Sequence, residues 1–263
     1  MSSPDSRDLA ARLERLAGQR NAVLDTMAGS VIGQEDAITL MLAALLARGH
    51  CLLVGVPGLA KTQMAKALAG SLDLSFKRVQ FTPDMMPSDI TGTNVIHDLP
   101  GGGREFRFMR GPVFANIVLA DEINRTPPKT QAAMLEAMQE RQVSVARETY
   151  QLEPPFFVIA TQNPIEQEGT YELPEAQLDR FMFDVHVDYP PLAEEEKILA
   201  ATSAEEPPAG RAVLSREEVL DAQKLVRSVA ASNYVVSYVA RIIRSTRPVD
   251  DLAPGFVKQF VEW

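Results

Sequence analysis

Residues Gly55-Val56-Pro57-Gly58-Leu59-Ala60-Lys61-Thr62 bring two glycines, a lysine and a hydroxyl into one short stretch, a composition suited to holding polyphosphate. A chain that bends sharply around phosphates leaves its backbone N–H groups pointing inward, and a helix opening after the bend adds partial positive charge. Lys61 would reach the β- and γ-phosphates of ATP, and the Thr62 hydroxyl would ligate Mg2+. With Gln63 in the following turn, Gly55 to Gln63 forms the expected nucleotide cradle. Ala60 departs from the common pattern, which has glycine before the lysine. It keeps the N–H but adds a Cβ, so the loop must avoid positive φ there or carry mild strain.

A second constellation lies downstream. Ile117-Val118-Leu119-Ala120-Asp121-Glu122 places two carboxylates at the carboxyl end of an apolar strand, the edge at which open α/β sheets bind ligands. Asp121 can hold Mg2+ through water, completing the cation site begun by Thr62, while Glu122 can orient and polarise an attacking water. Another apolar strand, Phe157 to Thr161, leads into Gln162-Asn163-Pro164, where the Asn163 amide can both donate to and accept from the water or a γ-phosphate oxygen. Arg180, in Leu178-Asp179-Arg180-Phe181, supports two readings. It could neutralise charge on a transferred phosphoryl group, also from a neighbouring subunit, or it could form a surface ion pair with Asp179 or Asp184.

These groups need a scaffold, and the apolar periodicity supplies one. Leu9 to Met27 and Glu35 to Arg48 show helical spacing, the second ending at Gly49. Cys51 to Val54 is a short continuous apolar run, as in a strand covered on both faces, which makes Cys51 a core residue. Strands are expected at Ser75 to Phe81, Asn116 to Ala120, Phe156 to Thr161 and Phe181 to Val187. Helices are expected at Lys61 to Leu72 and after Thr126, the expected N-cap, with Pro127 in the first turn. Strands alternating with helices imply a doubly wound, mainly parallel sheet. Thr82 to Gly111, with its turn at Gly101 to Gly103, and Gln142 to Glu153 read as inserted β-hairpins. After Asp188 the pattern becomes helical, with a Pro, Ala and Glu-rich connection at Ala204 to Gly210. The expected domains are therefore an α/β unit over 1–190 and a small all-helical lid over 191–263.

The chain has 263 residues with 46% apolar and 23% charged content, enough for one large domain and a smaller appended one. Its net charge of -9 disfavours a phosphate-backbone partner, so no nucleic acid is expected. A single cysteine excludes an intrachain disulfide, and the three histidines, His50, His97 and His186, lack zinc-ligand spacing. With no apolar stretch of spanning length and no signal-peptide pattern at the N-terminus, the expected location is the cytoplasm.

Taken together, the phrases VIGQEDAI, LLVGVPGLAKTQMAKALA, DITGTNVI, RGPVFANIVLADEINRTPPKTQAAMLEAMQERQVSV and VIATQNPIEQEGTYELPEAQLDRFMF resemble the MoxR family of AAA+ ATPases, from Val31 nearly to the end. The resemblance implies a P-loop α/β domain with a helical lid, one hairpin inserted within a helix around Ile90 to Met109, and another before the sensor strand. It assigns Lys61 and Thr62 as the Walker A pair, Asp121 and Glu122 as the Walker B pair, Asn163 as sensor 1 and Arg180 as the arginine finger. Val31 and Ile32 would lie against the adenine. The resemblance further implies a homo-oligomer, usually a hexameric ring, and partners with von Willebrand factor A domains. A sensor 2 arginine belongs to a Gly-Ala-Ser-Pro-Arg-Ala type motif expected just past Trp263, so the lid is expected to be truncated and no residue is assigned to that role.

The expected output is ATP-driven, chaperone-like remodelling, maturation or activation of a partner protein complex. A nucleic-acid motor is the alternative from another class; Arg104, Arg107, Arg110 and Arg147 sit on the expected hairpins, yet the overall acidity and the scarcity of aromatics beside them weigh against a strand-tracking groove. The ATPase subunit of a metal chelatase is a third reading.

Overall fold

The computed structural model describes residues 6–98, 103–146, 148–166, 169–202 and 212–261. The turn glycines Gly101 and Gly102, Arg147, the connection at Ala204 to Gly210 and Trp263 lie outside them.

Helices α1 (Ser6–Ala28) and α2 (Glu35–Leu46) precede β1 (Cys51–Val54), α3 (Lys61–Ser71) and β2 (Phe76–Gln80). A short helix α4 (Pro87–Thr91) leads into β3 (Gly92–Asp98) and β4 (Arg104–Arg110), and these are followed by β5 (Ile117–Asp121) and α5 (Pro128–Glu140). The chain continues through β6 (Gln142–Val145), β7 (Glu148–Gln151), β8 (Phe157–Gln162), α6 (Glu175–Leu178) and β9 (Phe183–His186). Helices α7 (Leu192–Thr202), α8 (Arg216–Ser228), α9 (Asn233–Ser245) and α10 (Gly255–Phe260) complete it.

Five strands form one sheet in the order β2-β5-β8-β1-β9, every pairing parallel. The apolar runs in the sequence are the central strands, and alternation along each run feeds two separate cores. Cys51, Leu53, Ile117, Leu119, Phe157 and Ile159 pack with Met41, Leu45, Met64 and Leu68 of α2 and α3. Their neighbours Leu52, Val118, Ala120, Val158 and Ala160 face the other way, against Met134, Leu135 and Met138 of α5. Helices on both faces of a parallel sheet are the doubly wound arrangement expected. At the edge, β2 is half-exposed, with Val79 buried and Lys77 and Arg78 exposed.

The two expected hairpins are present as β3 with β4 and β6 with β7. Phe108 of the first stacks on Tyr150 of the second, with ring centroids 4.1 Å apart, so an aromatic contact braces one against the other.

Two local expectations shift. Pro127, not Thr126, is the N-cap of α5, and Pro128 opens the helix, where a missing N–H costs nothing. The left-handed residue after α2 is Arg48, at φ 61°, rather than Gly49. Gly49 is required for a different reason: a Cβ there would lie 2.7 Å from Cβ of Met182. The chain divides into compact units at Met1–Val226 and Arg227–Trp263. Within the first, Leu214 and Val219 belong to the α/β core and the Gln223 side chain donates to Leu45 O at 2.7 Å. Within the second unit, Ser232 caps α9 by accepting from Val235 N at 3.3 Å, and Arg244 pairs with Asp250 at 2.7 Å.

Candidate functional site

The carboxyl ends of β1, β5 and β8 converge on a cavity of about 410 Å³. Pro57, Gly58, Ala60, Lys61, Thr62 and Gln63 line one side, and Asp121, Glu122, Thr161, Asn163 and Arg78 line the other. The turn after β1 passes so close to the end of β9 that a Cβ on Gly55 would sit 2.6 Å from Val187 O. Gly58 and Ala60 both adopt positive φ, 90° and 56°, and Ala60 caps α3 in the left-handed conformation. The strain that the sequence allowed for is therefore present, and for a non-glycine residue it costs roughly 1 kcal/mol. Leu59 is buried in the core and anchors the loop from below.

Lys61 Nζ donates to Val56 O at 3.2 Å and to Gly55 O. Burial lowers its pKa, and the attraction of Asp121 and Glu122 only partly offsets that. A lysine so placed is a cation short of solvent and close to two acids, suited to meeting phosphate oxygens. Thr62 follows it in the first turn of α3.

Asp121 is 8% exposed and accepts three hydrogen bonds. Its Oδ1 accepts from the Thr161 hydroxyl at 2.6 Å, and its Oδ2 accepts from Arg78 Nε at 2.9 Å and Nη2 at 2.6 Å. Glu122 adopts left-handed backbone, φ 58° and ψ 49°, a strained conformation of the kind that recurs at functional sites. Its N–H donates to Thr161 Oγ1 at 2.9 Å, so the one hydroxyl orders both acids. The Glu122 carboxylate accepts from Gln80 Nε2 at 2.8 Å and pairs with Arg125 at 3.2 Å. Arg125 in turn pairs with Glu166, which lowers the carboxyl pKa of Glu166, and Glu166 accepts from Asn163 Nδ2 at 3.4 Å. A polar chain thus runs from Asp121 through Arg78, Gln80, Glu122, Arg125 and Glu166 to Asn163.

The structure brings Pro57, Gly58, Ala60, Lys61, Thr62, Gln63, Asp121, Glu122 and Asn163 to one place, whereas Gly55, Val56 and Leu59 do not line the cavity. Arg180 stands apart from the cavity: its Nε donates to Gln139 Oε1 at 3.1 Å and its Nη1 to Ala176 O at 2.6 Å. Both partners are neutral, so neither Asp179 nor Asp184 anchors it. Val31 is buried in the core and Ile32 is half-buried; neither lines the cavity. Gln34 ties this segment to the exit of β9 by donating to Asp188 O at 2.9 Å. Sequence reasoning passed over Arg78, Gln80, Thr161, Arg125 and Glu166. The available signal was the pair of polar residues on β2, but its use requires the register that sets Gln80 opposite Asp121.

A phosphate loop at the centre of a parallel sheet, facing an acid pair and a polar strand end, defines a P-loop nucleotide-binding class. Residues 50–183 match the ATPase family associated with various cellular activities (AAA). The chain is 44% identical to the chaperone MoxR1 of Mycobacterium tuberculosis over 88% of its own length and 60% of that protein's. It is 49% identical to YeaC of Bacillus subtilis, covering 82% of this chain and 67% of YeaC. A solved Cytophaga hutchinsonii structure, described as a candidate ATPase, shares 41% identity with a TM-score of 0.81, covering 91% of this chain and 73% of that one. The chain therefore belongs to the MoxR family of AAA+ ATPases. It spans three fifths of MoxR1 and about two thirds of YeaC. Among the described residues, no helix is long and apolar enough to cross a membrane.

Proposed function

We propose that this chain binds Mg2+-ATP in the cavity between the P-loop and the ends of β5 and β8, hydrolyses it, and uses the cycle to remodel, mature or activate partner protein complexes. The observation that carries the reading is the convergence of Lys61, Thr62, Asp121, Glu122 and Asn163, from three separate strand ends, around one cavity.

The donors fit the metal: a hydroxyl and a carboxylate are hard oxygen ligands of the type Mg2+ takes alongside phosphate. Thr62 would hold the ion directly and Asp121 through water, and the bound ion would neutralise charge on the β- and γ-phosphates. Backbone N–H groups from Gly55 to Gln63 would cradle the phosphates, with Lys61 supplying a point charge. Glu122 would polarise the attacking water, and Asn163 would fix that water or a γ-phosphate oxygen. Val31 and Ile32 would contact the adenine, with 1–190 as the nucleotide-binding domain and 191–263 as its lid. Arg180, outside the subunit's own cavity, would act on the neighbour's γ-phosphate in a homo-oligomeric, hexameric ring. Proteins with von Willebrand factor A domains are the proposed partners, and the cytoplasm is the proposed location.

Steady-state ATP hydrolysis by Glu122→Gln tests the assignment. The amide fills the same volume but polarises water poorly, so turnover should fall by roughly two orders of magnitude or more while ATP binding persists. Turnover equal to the wild type would remove Glu122 from the mechanism.

A further inference from the structure

Arg78 belongs to none of the motifs identified in the sequence, yet it is the cation that Asp121 holds in this structure. Each carboxylate oxygen offers two lone-pair directions. Arg78 Nε and Nη2 take both on Oδ2, at 2.9 and 2.6 Å, and the Thr161 hydroxyl takes one on Oδ1 at 2.6 Å. A single direction is left on the carboxylate to which Mg2+ is assigned above.

The two partners differ in freedom. The Asp121 side chain is 11% exposed, whereas that of Arg78, on edge strand β2, is 47% exposed. A buried carboxylate is costly without a compensating partner, but a half-exposed guanidinium can swing into water. Two cations sharing one carboxylate also repel each other at close range. The same guanidinium reaches the second acid, since Arg78 Nη2 donates to Gln80 Oε1 and Gln80 Nε2 donates to Glu122 Oε2 at 2.8 Å.

We propose that Arg78 sets the Mg2+ requirement of nucleotide binding by competing with the cation for Asp121, an inference that rests on the nucleotide reading given above. Arg78 is thus a positioning residue: it satisfies Asp121 until Mg2+ arrives with nucleotide and raises the Mg2+ concentration needed for loading.

The test titrates Mg2+ into protein held with a fluorescent ADP analogue, reading half-maximal loading without turnover, for wild type, Arg78→Gln and Arg78→Lys. The Mg2+ midpoint should fall roughly five-fold in Arg78→Gln, the size of a charge-assisted bond discounted for exposure, and by less in Arg78→Lys. An unchanged or raised midpoint in Arg78→Gln that still loads nucleotide at saturating Mg2+ overturns the competition. Wild-type loading that does not depend on Mg2+ overturns the competition alone, and wild-type protein that loads no nucleotide at any Mg2+ concentration overturns the nucleotide reading as well. Circular dichroism monitors folding; should Arg78→Gln not fold, the direction of the Arg78→Lys midpoint decides in the same terms.

Discussion

His50 makes the stability of the α/β unit depend on pH in a way that can be calculated. Its Nδ1 accepts from Val158 N at 3.0 Å, which leaves Nε2 as the protonated nitrogen donating to Met138 O at 3.2 Å. Phe157 stacks on the ring and Phe156 meets it edge-on. Burial pushes the imidazole pKa from the ordinary 6.5 down to about 4; the bond to Met138 opposes this and the Arg141 charge adds to it. Below pH 6.5 the unfolded chain therefore takes up a proton that the folded chain refuses, and stability falls until pH passes the folded value near 4. The full gap corresponds to about 3 kcal/mol, of which about 2 kcal/mol is lost by pH 5. The perturbation is His50→Gln, which removes the titration and keeps an amide in the core. Urea unfolding of both proteins at pH 8 and pH 5 reads the effect, because the carboxylates common to both chains cancel in the comparison. Wild type should lose about 2 kcal/mol more than the variant between those pH values. Equal losses would refute the assignment of a neutral, proton-refusing His50.

Two further outcomes follow from the loop and the arginine. Gly55→Ala forces a Cβ against Val187 O, 2.6 Å away, and should destabilise the protein by about 2 kcal/mol in urea unfolding, with weaker nucleotide loading. Arg180→Ala should bind ATP nearly normally yet hydrolyse it poorly. When it is co-assembled with Glu122→Gln, activity should partly return through interfaces that pair an intact Glu122 with a neighbour's Arg180. Mixed rings with no recovery would place Arg180 in cis or in the fold.

What the sequence made legible was local and contiguous. The phosphate loop, the Asp121-Glu122 pair and Asn163 each follow an apolar run at a strand end, so residue order alone located them. The continuous runs at Cys51, Ile117 and Phe157 announced strands covered on both faces, and a further strand was expected at Ser75 to Phe81. The polar chain was not legible, because Arg78 and Gln80 meet Asp121 and Glu122 only through the register of β2 on β5. Arg125 and Glu166 are 41 residues apart in sequence and meet only through the paths of two loops. Leu214 and Val219 reach the α/β core, a contact that helical periodicity cannot aim.

The central claim is that Gly55 to Thr62 holds the phosphates of ATP, and equilibrium titration with a fluorescent ATP analogue tests it most directly. Wild-type protein with Mg2+ should bind saturably, while Lys61→Ala, which removes the point charge at the base of the loop and leaves the scaffold folded, should show no tight binding. Equal affinity in the two proteins would contradict the account and reduce Gly55 to Thr62 to a turn.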